Sequence, residues 1–264
     1  MVQPHNPVSA EITKLYDEEA KFYDFQYADL KADIEMYIAL AKEYGEPILE
    51  VACGTGRILI PLAREGFKVT GIDITRSMLD IARRKICIEK HPAQGRIEII
   101  EADMRNFSLN KKYQMAIIPI NSFLHLLTTT EQVSTLKSVG EHLKPGGVIV
   151  IDIFKPDLAR PQNTISHVFT KVNPVSGKIA SKFVTQTFDY AKQTIQVHSF
   201  LDEMSDAGVV KRHVSAFELR YIFRYEMELL LEKTGYRVRE IYGDYDRSPF
   251  VSESKRMIFV AERL

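Results

Sequence analysis

Ile48-Leu49-Glu50-Val51-Ala52-Cys53-Gly54-Thr55-Gly56-Arg57 reads as a short buried strand, a glycine turn and the start of a helix. Pro47 punctuates the entry, and Ile48, Leu49 and Val51 supply the apolar run. Gly54 and Gly56 carry no Cβ, so the turn is expected to leave backbone N–H groups open to a ligand. At a helix N-terminus such a turn suits a polar or anionic group. Gly-x-Gly alone is a common pattern, and the chain around it decides what it means.

Downstream, Ile58 to Glu65 reads as a helix ended by Gly66, with Pro61 tolerated if it lies in the first turn. Phe67 to Asp73 reads as a strand with Asp73 at its carboxyl end. Ser77-Met78-Leu79-Asp80 has the form of a capping box and opens a helix to about Glu89. Strands are expected at Ile97 to Glu101, Tyr113 to Ile120 and Val148 to Phe154. Thr129 to Leu143 is a helix beginning Thr-x-x-Gln, and Lys144-Pro145-Gly146-Gly147 is a turn. Strands alternating with helices predict an α/β, doubly wound, mostly parallel sheet.

Upstream, residues 10–44 read as two helices, the first capped by Ser9 with Ile12, Leu15, Tyr16 and Glu19 at helical spacing. Phe22-Tyr23-Asp24-Phe25-Gln26-Tyr27 reads as an aromatic connection between them, either packed on the core or laid over a ligand as a lid. Between Thr164 and Ile222 the pattern changes to four alternating polar–apolar runs, the signature of antiparallel ribbons with one solvated face. Arg224 to Thr234 is then a helix ended by Gly235, and Tyr236 to Tyr242 and Arg256 to Ala261 are the last strands. The division that follows is an N-terminal helical lid over 1–45, a core over 46–155 and 223–264, and an antiparallel β insertion over 156–222. An insertion at the carboxyl edge of a sheet is where a substrate cap belongs.

Lys+Arg and Asp+Glu number 35 each, so no net charge draws the chain to nucleic acid or an anionic membrane. No apolar run approaches the roughly 18 residues of a membrane span, and Met1 to Ala10 is polar and proline-bearing, unlike a signal peptide. Cys53 and Cys87 make neither a disulfide framework nor a metal cluster; two small buried thiols in a reducing cytoplasm are expected.

Asp73 lies 19 residues after Gly54. An acidic residue about 20 positions on reaches ribose hydroxyls in nucleotide-binding sheets; the alternative is a helix N-terminal charge. Asp103 recurs at the next strand end, placed either to accept from an exocyclic amine or to cap a turn. A dinucleotide fingerprint needs Gly or Ala where this chain has Leu59. Acidic residues at three strand ends (Glu50, Asp73, Asp103) fit a ligand without a pyrophosphate, such as a cationic sulfonium carrying an adenosine.

Leu-Glu-Val-Ala-Cys-Gly-Thr-Gly (49–56), Gly-Ile-Asp-Ile (71–74), Glu-Ala-Asp-Met-Arg (101–105) and Leu-Lys-Pro-Gly-Gly (143–147) together resemble the successive signatures of class I S-adenosylmethionine-dependent methyltransferases. The resemblance implies a seven-stranded sheet of order 3-2-1-4-5-7-6 with the seventh strand antiparallel. It implies S-adenosyl-L-methionine as cofactor, with Ala52, Gly54 and Gly56 lining its methionine part and Glu50 supporting the loop. Asp73 would hold the ribose, Ile74 and Met78 would flank the adenine, and Asp103 and Met104 would read its edge. Ile120 and Asn121 would lie near the methyl group. Ala-Lys-Phe-Tyr-Asp-Phe-Gln-Tyr (20–27), Asn-Ser-Phe-Leu-His-Leu (121–126) and the insertion resemble, more finely, small-molecule N-methyltransferases such as the N,N-dimethyltransferases of deoxyaminosugars.

Methyl transfer asks the protein mainly to position and desolvate two reactants. A base is needed only to keep an amine neutral or to ionise a hydroxyl. His125 has the place for that by the family pattern, against a packing role. Tyr23 is expected against the cofactor and Tyr27 at the methyl site, against core packing of both. His142, His167, His198 and His213 read as structural. The stretch Ile120-Asn121-Ser122-Phe123 lacks the Asp/Asn-Pro-Pro-aromatic run of nucleobase amino-methyltransferases, and Lys211-Arg212-His213 is too short to track a phosphate backbone. Arg220 and Arg224, with Tyr221 and Phe223, form a basic-aromatic cluster suited to an anionic part of a substrate. The expected enzyme is a cytoplasmic methyltransferase acting on N or O of a small-molecule acceptor, without metal, as a possible homodimer through the strand edges of the insertion. An RNA or protein methyltransferase and a non-catalytic S-adenosylmethionine-binding module are the alternatives.

Overall fold

A computed structural model of the chain describes residues 7–90, 92–159, 161–205 and 207–264, the side chains of 7–15 and 18 aside. The central sheet is built from β1 (Ile48–Val51), β2 (Val69–Asp73), β3 (Ile97–Glu101), β4 (Tyr113–Ile118), β5 (Leu143–Phe154), β10 (Tyr236–Tyr242) and β11 (Arg256–Arg263). Its order is β10-β11-β5-β4-β1-β2-β3. β11 runs antiparallel to both β5 and β10, and the other pairs are parallel. This is the expected seven-stranded order, with the last two strands numbered after four inserted ones. β1 and β2 are buried at every position, so their sequences show no polar–apolar alternation, and the polar Glu50, Thr70 and Asp73 are buried with the rest.

Helices cover both faces: α2 (Ala32–Tyr44), α3 (Leu59–Arg64), α4 (Arg76–Cys87), α5 (Thr129–His142) and α6 (Arg224–Lys233). Two apolar clusters, one on each side of the sheet, form the core, one around Leu136, Val139, Ile151 and Phe259 and the other around Leu40, Leu59, Leu62 and Val150. Each fully buried side chain of this kind contributes about 1.5–3 kcal/mol. Pro61 falls in the first turn of α3, where its missing N–H leaves no bond unmade.

Two predicted caps shift by one or two residues. α4 starts at Arg76 with Thr75 at its N-cap, so Ser77 is already helical and its Oγ is buried without a partner. α5 is capped one residue earlier than Thr129. Thr128 and Glu131 form the capping box, while Gln132 turns inward and donates to the Leu126 carbonyl at 3.1 Å. The Lys144–Gly147 turn is an interruption inside β5: Tyr113 pairs with Leu143 and Met115 with Val148, so the intervening residues bulge from the ladder.

The first helix, α1 (Pro7–Gln26), departs most from expectation. It begins two residues ahead of Ser9, which is therefore no cap; the side chains of Ser9, Ile12 and Leu15 lie outside the described residues. The aromatic run is no connection either, since residues 22–26 are its last turns and Tyr27 N–H still donates to the Tyr23 carbonyl at 3.1 Å. Cys87 also differs: it is exposed at the end of α4, while Cys53 is buried.

The inserted strands β6 (Ser166–Val172), β7 (Ile179–Asp189), β8 (Thr194–Met204) and β9 (Val210–Arg220) form a separate antiparallel sheet in sequential order. Phe22 and Phe25 of α1 pack into a small cluster with Ala180, Leu201 and Phe169 of this sheet.

Candidate active site

The strand–turn 48–57 lies at the carboxyl edge of the central sheet, next to the ends of β2 and β4. Ala52, Gly54 and Gly56 all adopt positive φ (59°, 53° and 75°), a left-handed path that only glycine takes without strain. The two glycine N–H groups are bonded within the protein rather than left open. Gly54 N–H donates to Asp73 Oδ2 at 2.8 Å, and Gly56 N–H donates to the Cys53 carbonyl at 2.9 Å. What the loop offers instead is space: a Cβ on Gly54 would meet no protein atom within 4 Å, because that side is the cleft.

That cleft spans about 900 Å³, part of it open to solvent, and is lined by residues from six segments of the chain. Eleven of the fourteen residues expected at the site line it: Tyr23, Tyr27, Ala52, Gly54, Asp73, Ile74, Met78, Asp103, Met104, Ile120 and His125. Glu50, Gly56 and Asn121 do not. Gly56 faces Ala82 and Ile60 instead. Asn121 is a brace, its Oδ1 accepting from Phe154 N–H at 2.7 Å and its own N–H donating to the Asp152 carbonyl at 2.9 Å. Ile120 and Asn121 are consecutive non-glycine residues at positive φ (45° and 62°). Strain of this kind is held by its surroundings, here by β5. Glu50 lies beneath the loop, 1% exposed, with Oε2 unpartnered. Burial, partly opposed by Arg57, pushes its carboxyl well above the usual range.

Asp73 accepts from Gly54 N–H through one oxygen and from Thr75 N–H at 2.8 Å through the other. Burial raises its carboxyl pKa, and these backbone bonds oppose the rise. The Thr75 side chain and the Ile74 backbone add further bonds, so the carboxylate is held firmly in the cleft wall. Asp103 is gripped by the Arg105 guanidinium, with Nη2 to Oδ2 at 2.5 Å.

Sequence reasoning missed Tyr16, Arg105 and Glu131 among the lining residues. Tyr16 had a signal: Tyr16, Tyr23 and Tyr27 recur at i, i+7 and i+11, a single helical stripe. Taking 22–27 for a connection hid that period. Tyr16 Oη and His125 Nε2 are 2.9 Å apart, with ring centroids at 5.6 Å. Burial lowers the His125 pKa from 6.5 to about 4 and raises all three tyrosines, so imidazole and phenols are neutral at pH 7.

The other candidates are committed elsewhere. His142 accepts from Leu109 N–H at 2.8 Å through Nε2 and meets the Ser138 carbonyl through Nδ1, a structural role. Arg220 pairs with Glu226 and Arg224 with Glu228, so the cluster predicted to attract an anion is internally neutralised. Arg212 pairs likewise with Asp202.

The donor set fits an adenosine-bearing sulfonium. Acidic side chains (Asp73, Asp103, Glu131) suit hydroxyl and amine donors, and three tyrosine rings suit a cationic centre. Leu59, which departs from the dinucleotide pattern, is accommodated by Gly71 on β2, where a Cβ would stand 2.6 Å from its Cδ1. No helix among the described residues is long and apolar enough to cross a membrane.

Residues 48–147 match the methyltransferase domain family. Over 218 residues the chain is 30% identical to the dTDP-3-amino-3,4,6-trideoxy-alpha-D-glucopyranose N,N-dimethyltransferase of Streptomyces venezuelae, covering 82% of this chain and 86% of that one. It is 27% identical to the cypemycin N-terminal methyltransferase of a Streptomyces species, covering 83% and 84%. The fold matches a crystal structure of a S-adenosylmethionine-dependent methyltransferase from Clostridium acetobutylicum with a TM-score of 0.77 at 19% identity, covering 94% of this chain and 98% of that one. Four ordered motifs, the sheet order and a relative matched along most of its length converge: the chain belongs to the S-adenosylmethionine-dependent methyltransferases.

Proposed function

We propose that this enzyme methylates an amine nitrogen of a small molecule, and that the Tyr16–His125 pair orients that nitrogen. The observation that carries the reading is the 2.9 Å contact between two neutral groups at the cleft wall. S-adenosylmethionine supplies a methyl carbon already activated for in-line displacement. The protein's part is to present a neutral nucleophile. If the Tyr16 hydroxyl donates to Nε2, its own oxygen is left to accept an acceptor N–H; if Nε2–H donates to Tyr16, Nδ1 is left to accept. Either tautomer offers an acceptor that turns the nitrogen lone pair toward the donor. A ring whose pKa is lowered to about 4 is a weak base, so His125 orients an amine that arrives neutral rather than stripping an ammonium ion.

The remaining roles follow in the same reading. Tyr23, Ala52 and Gly54 contact the methionine part, with Gly56 and Glu50 shaping the loop from behind. Asp73 holds the ribose, Ile74 and Met78 flank the adenine, and Asp103 and Met104 read its edge. Tyr27 and Ile120 border the methyl site, and Asn121 fixes Ile120. Residues 1–45 act as a lid (1–6 lie outside the described residues), and the second sheet caps the acceptor. The S. venezuelae relative is named for an aminosugar and the cypemycin enzyme for a peptide N-terminus. Both names point to amines, which favours N over O and keeps a peptide amine as the second reading. A homodimer through the second sheet is proposed as well; a sedimentation mass of one chain at micromolar concentration would remove it.

The test is turnover with an aminosugar or peptide-amine library. On the acceptor found, His125→Ala should lower kcat by roughly 10²-fold and Tyr16→Phe by roughly 10-fold. S-adenosylhomocysteine affinity should stay within about threefold in both, as expected of an interaction confined to the acceptor. Unchanged kcat in His125→Ala sinks the orienting pair.

A further inference from the structure

Arg105 lies in the cleft wall between two carboxylates. Its Nε reaches Asp103 Oδ1 at 3.0 Å and Oδ2 at 3.1 Å, and its Nη2 reaches Oδ2 at 2.5 Å. Its backbone N–H adds a bond to Oδ1 at 2.9 Å. On the other side, Nη1 reaches Glu131 Oε1 at 2.7 Å. Glu131 is itself fixed, because its second oxygen accepts from Thr128 N–H at 3.1 Å and from Thr128 Oγ1 at 3.0 Å in the α5 capping box. The Arg105 carbonyl is held in turn by the hydroxyls of Ser134 (2.7 Å) and Ser138 (3.0 Å) on α5. The side chains of Asp103, Arg105 and Glu131 are only 23%, 17% and 15% exposed.

A carboxylate has about four acceptor sites. Arg105 takes both on Oδ1, through its backbone N–H and Nε, and one on Oδ2 through Nη2, with the Nε hydrogen shared between the two oxygens. One direction on Oδ2 remains, and a side chain held by a planar fork cannot rotate to offer another. The site also keeps net negative charge, since two carboxylates face one guanidinium.

We infer that Arg105 is a positioning residue: braced on the α5 cap through Glu131, it fixes Asp103 so that one acceptor direction selects a 6-amino over a 6-oxo purine on the bound nucleoside. The inference rests on the proposed placing of the adenine edge at Asp103. A 6-oxo purine presents an acceptor where the amine presents a donor, and an acceptor facing an immobile carboxylate leaves both unpaired. A carboxylate free to turn would swing aside and tolerate either base.

The experiment is calorimetric binding of S-adenosylhomocysteine and of its 6-oxo counterpart, S-inosylhomocysteine, to the full chain and to Arg105→Met, Arg105→Lys and Asp103→Asn. The native chain should prefer the amine by at least about 10-fold, the scale of a directional hydrogen-bond mismatch. In Arg105→Met the preference should shrink to within about threefold, and Arg105→Lys, a point charge without the fork, should fall between. Asp103→Asn should lose the preference altogether. A merely structural Arg105 would lower the melting temperature and leave the ratio of the two affinities unchanged. That ratio, intact in Arg105→Met while Asp103→Asn abolishes it, overturns the role of Arg105 and keeps that of Asp103. A native chain without preference, or an Asp103→Asn variant that retains it, overturns both. If Arg105→Met does not fold, an unchanged ratio in Arg105→Lys overturns the inference.

Discussion

His125 is partly buried in the cleft wall and Glu50 is buried beneath the glycine loop, and desolvation shifts them in opposite senses of pH. The folded pKa of His125 lies below its unfolded value of 6.5, at about 4. Between those values the unfolded chain binds the extra proton, so this contribution to stability is whole above 6.5 and lost by about pH 4. The shift corresponds to at most roughly 3 kcal/mol. The Glu50 carboxyl is raised above its ordinary 4.5, so its contribution is whole below that value and lost as pH rises through the folded one. Urea titrations at pH 7.5 and 4.5 check both signs. The native chain should lose more stability on acidification than His125→Gln does. Glu50→Gln should exceed the native chain at pH 7.5, with the gap narrowing at pH 4.5. A Glu50→Gln variant less stable than native at pH 7.5 would mean that Arg57 compensates the buried charge in full. Asp73 and Asp103 were legible in the sequence because a strand end followed by an acid is a local pattern. The Tyr16–His125 contact was not, since its partners stand 109 positions apart.

At the scale of elements, the glycine loop is shaped by a pair of residues that no single motif contains. Leu59 opens α3 where the dinucleotide pattern has a small residue, and Gly71 in β2 makes the room. A Cβ at Gly71 would stand 2.6 Å from Leu59 Cδ1 and 2.7 Å from Cys53 Sγ. Gly71→Ala is expected to destabilise by about 1–3 kcal/mol, the usual cost of overpacking. It should also weaken S-adenosylhomocysteine binding, because Cys53 belongs to the loop. Leu59→Ala leaves a cavity by itself but relieves part of the clash in the double variant. The urea midpoints of the four chains should therefore be non-additive by at least about 0.5 kcal/mol, and strict additivity would deny the contact. Leu59 alone correctly excluded the dinucleotide form, whereas the compensating glycine is visible only once α3 and β2 are packed. The caps failed for a related reason. Thr128 and Thr129 are equally good N-cap residues by type, and the choice is made by Glu131 reaching back to Thr128 N–H while Gln132 is drawn inward to Leu126.

For the whole molecule, α1 is the part that joins the rest. Its tyrosine stripe lines the cleft, and its phenylalanines Phe22 and Phe25 pack on the second sheet. Glu19 accepts from Ser215 Oγ of β9 at 2.5 Å, and Gln26 meets Lys182 of β7. Toward the core, Asp24 accepts from Thr55 Oγ1 of the glycine loop at 2.6 Å and from Lys85 Nζ of α4 at 3.0 Å. Asp24 is thus the polar tie between the helix and the loop beneath it. The Lys85 pair is partly exposed, 31% and 42%, and contributes little to global stability. On the proposed reading of residues 1–45 as a lid, the tie should matter instead for how readily α1 lifts to release a bound ligand. Asp24→Ala is expected to speed S-adenosylhomocysteine dissociation by about 5–10-fold in stopped flow, while the melting temperature changes by no more than a few degrees. The phenylalanine contacts keep α1 attached to the second sheet, so the variant should open as a hinged lid rather than lose the helix, and far-ultraviolet circular dichroism should match the native chain. An unchanged dissociation rate would show that the ligand leaves by a path that does not lift α1, and that the tyrosine stripe is a fixed wall.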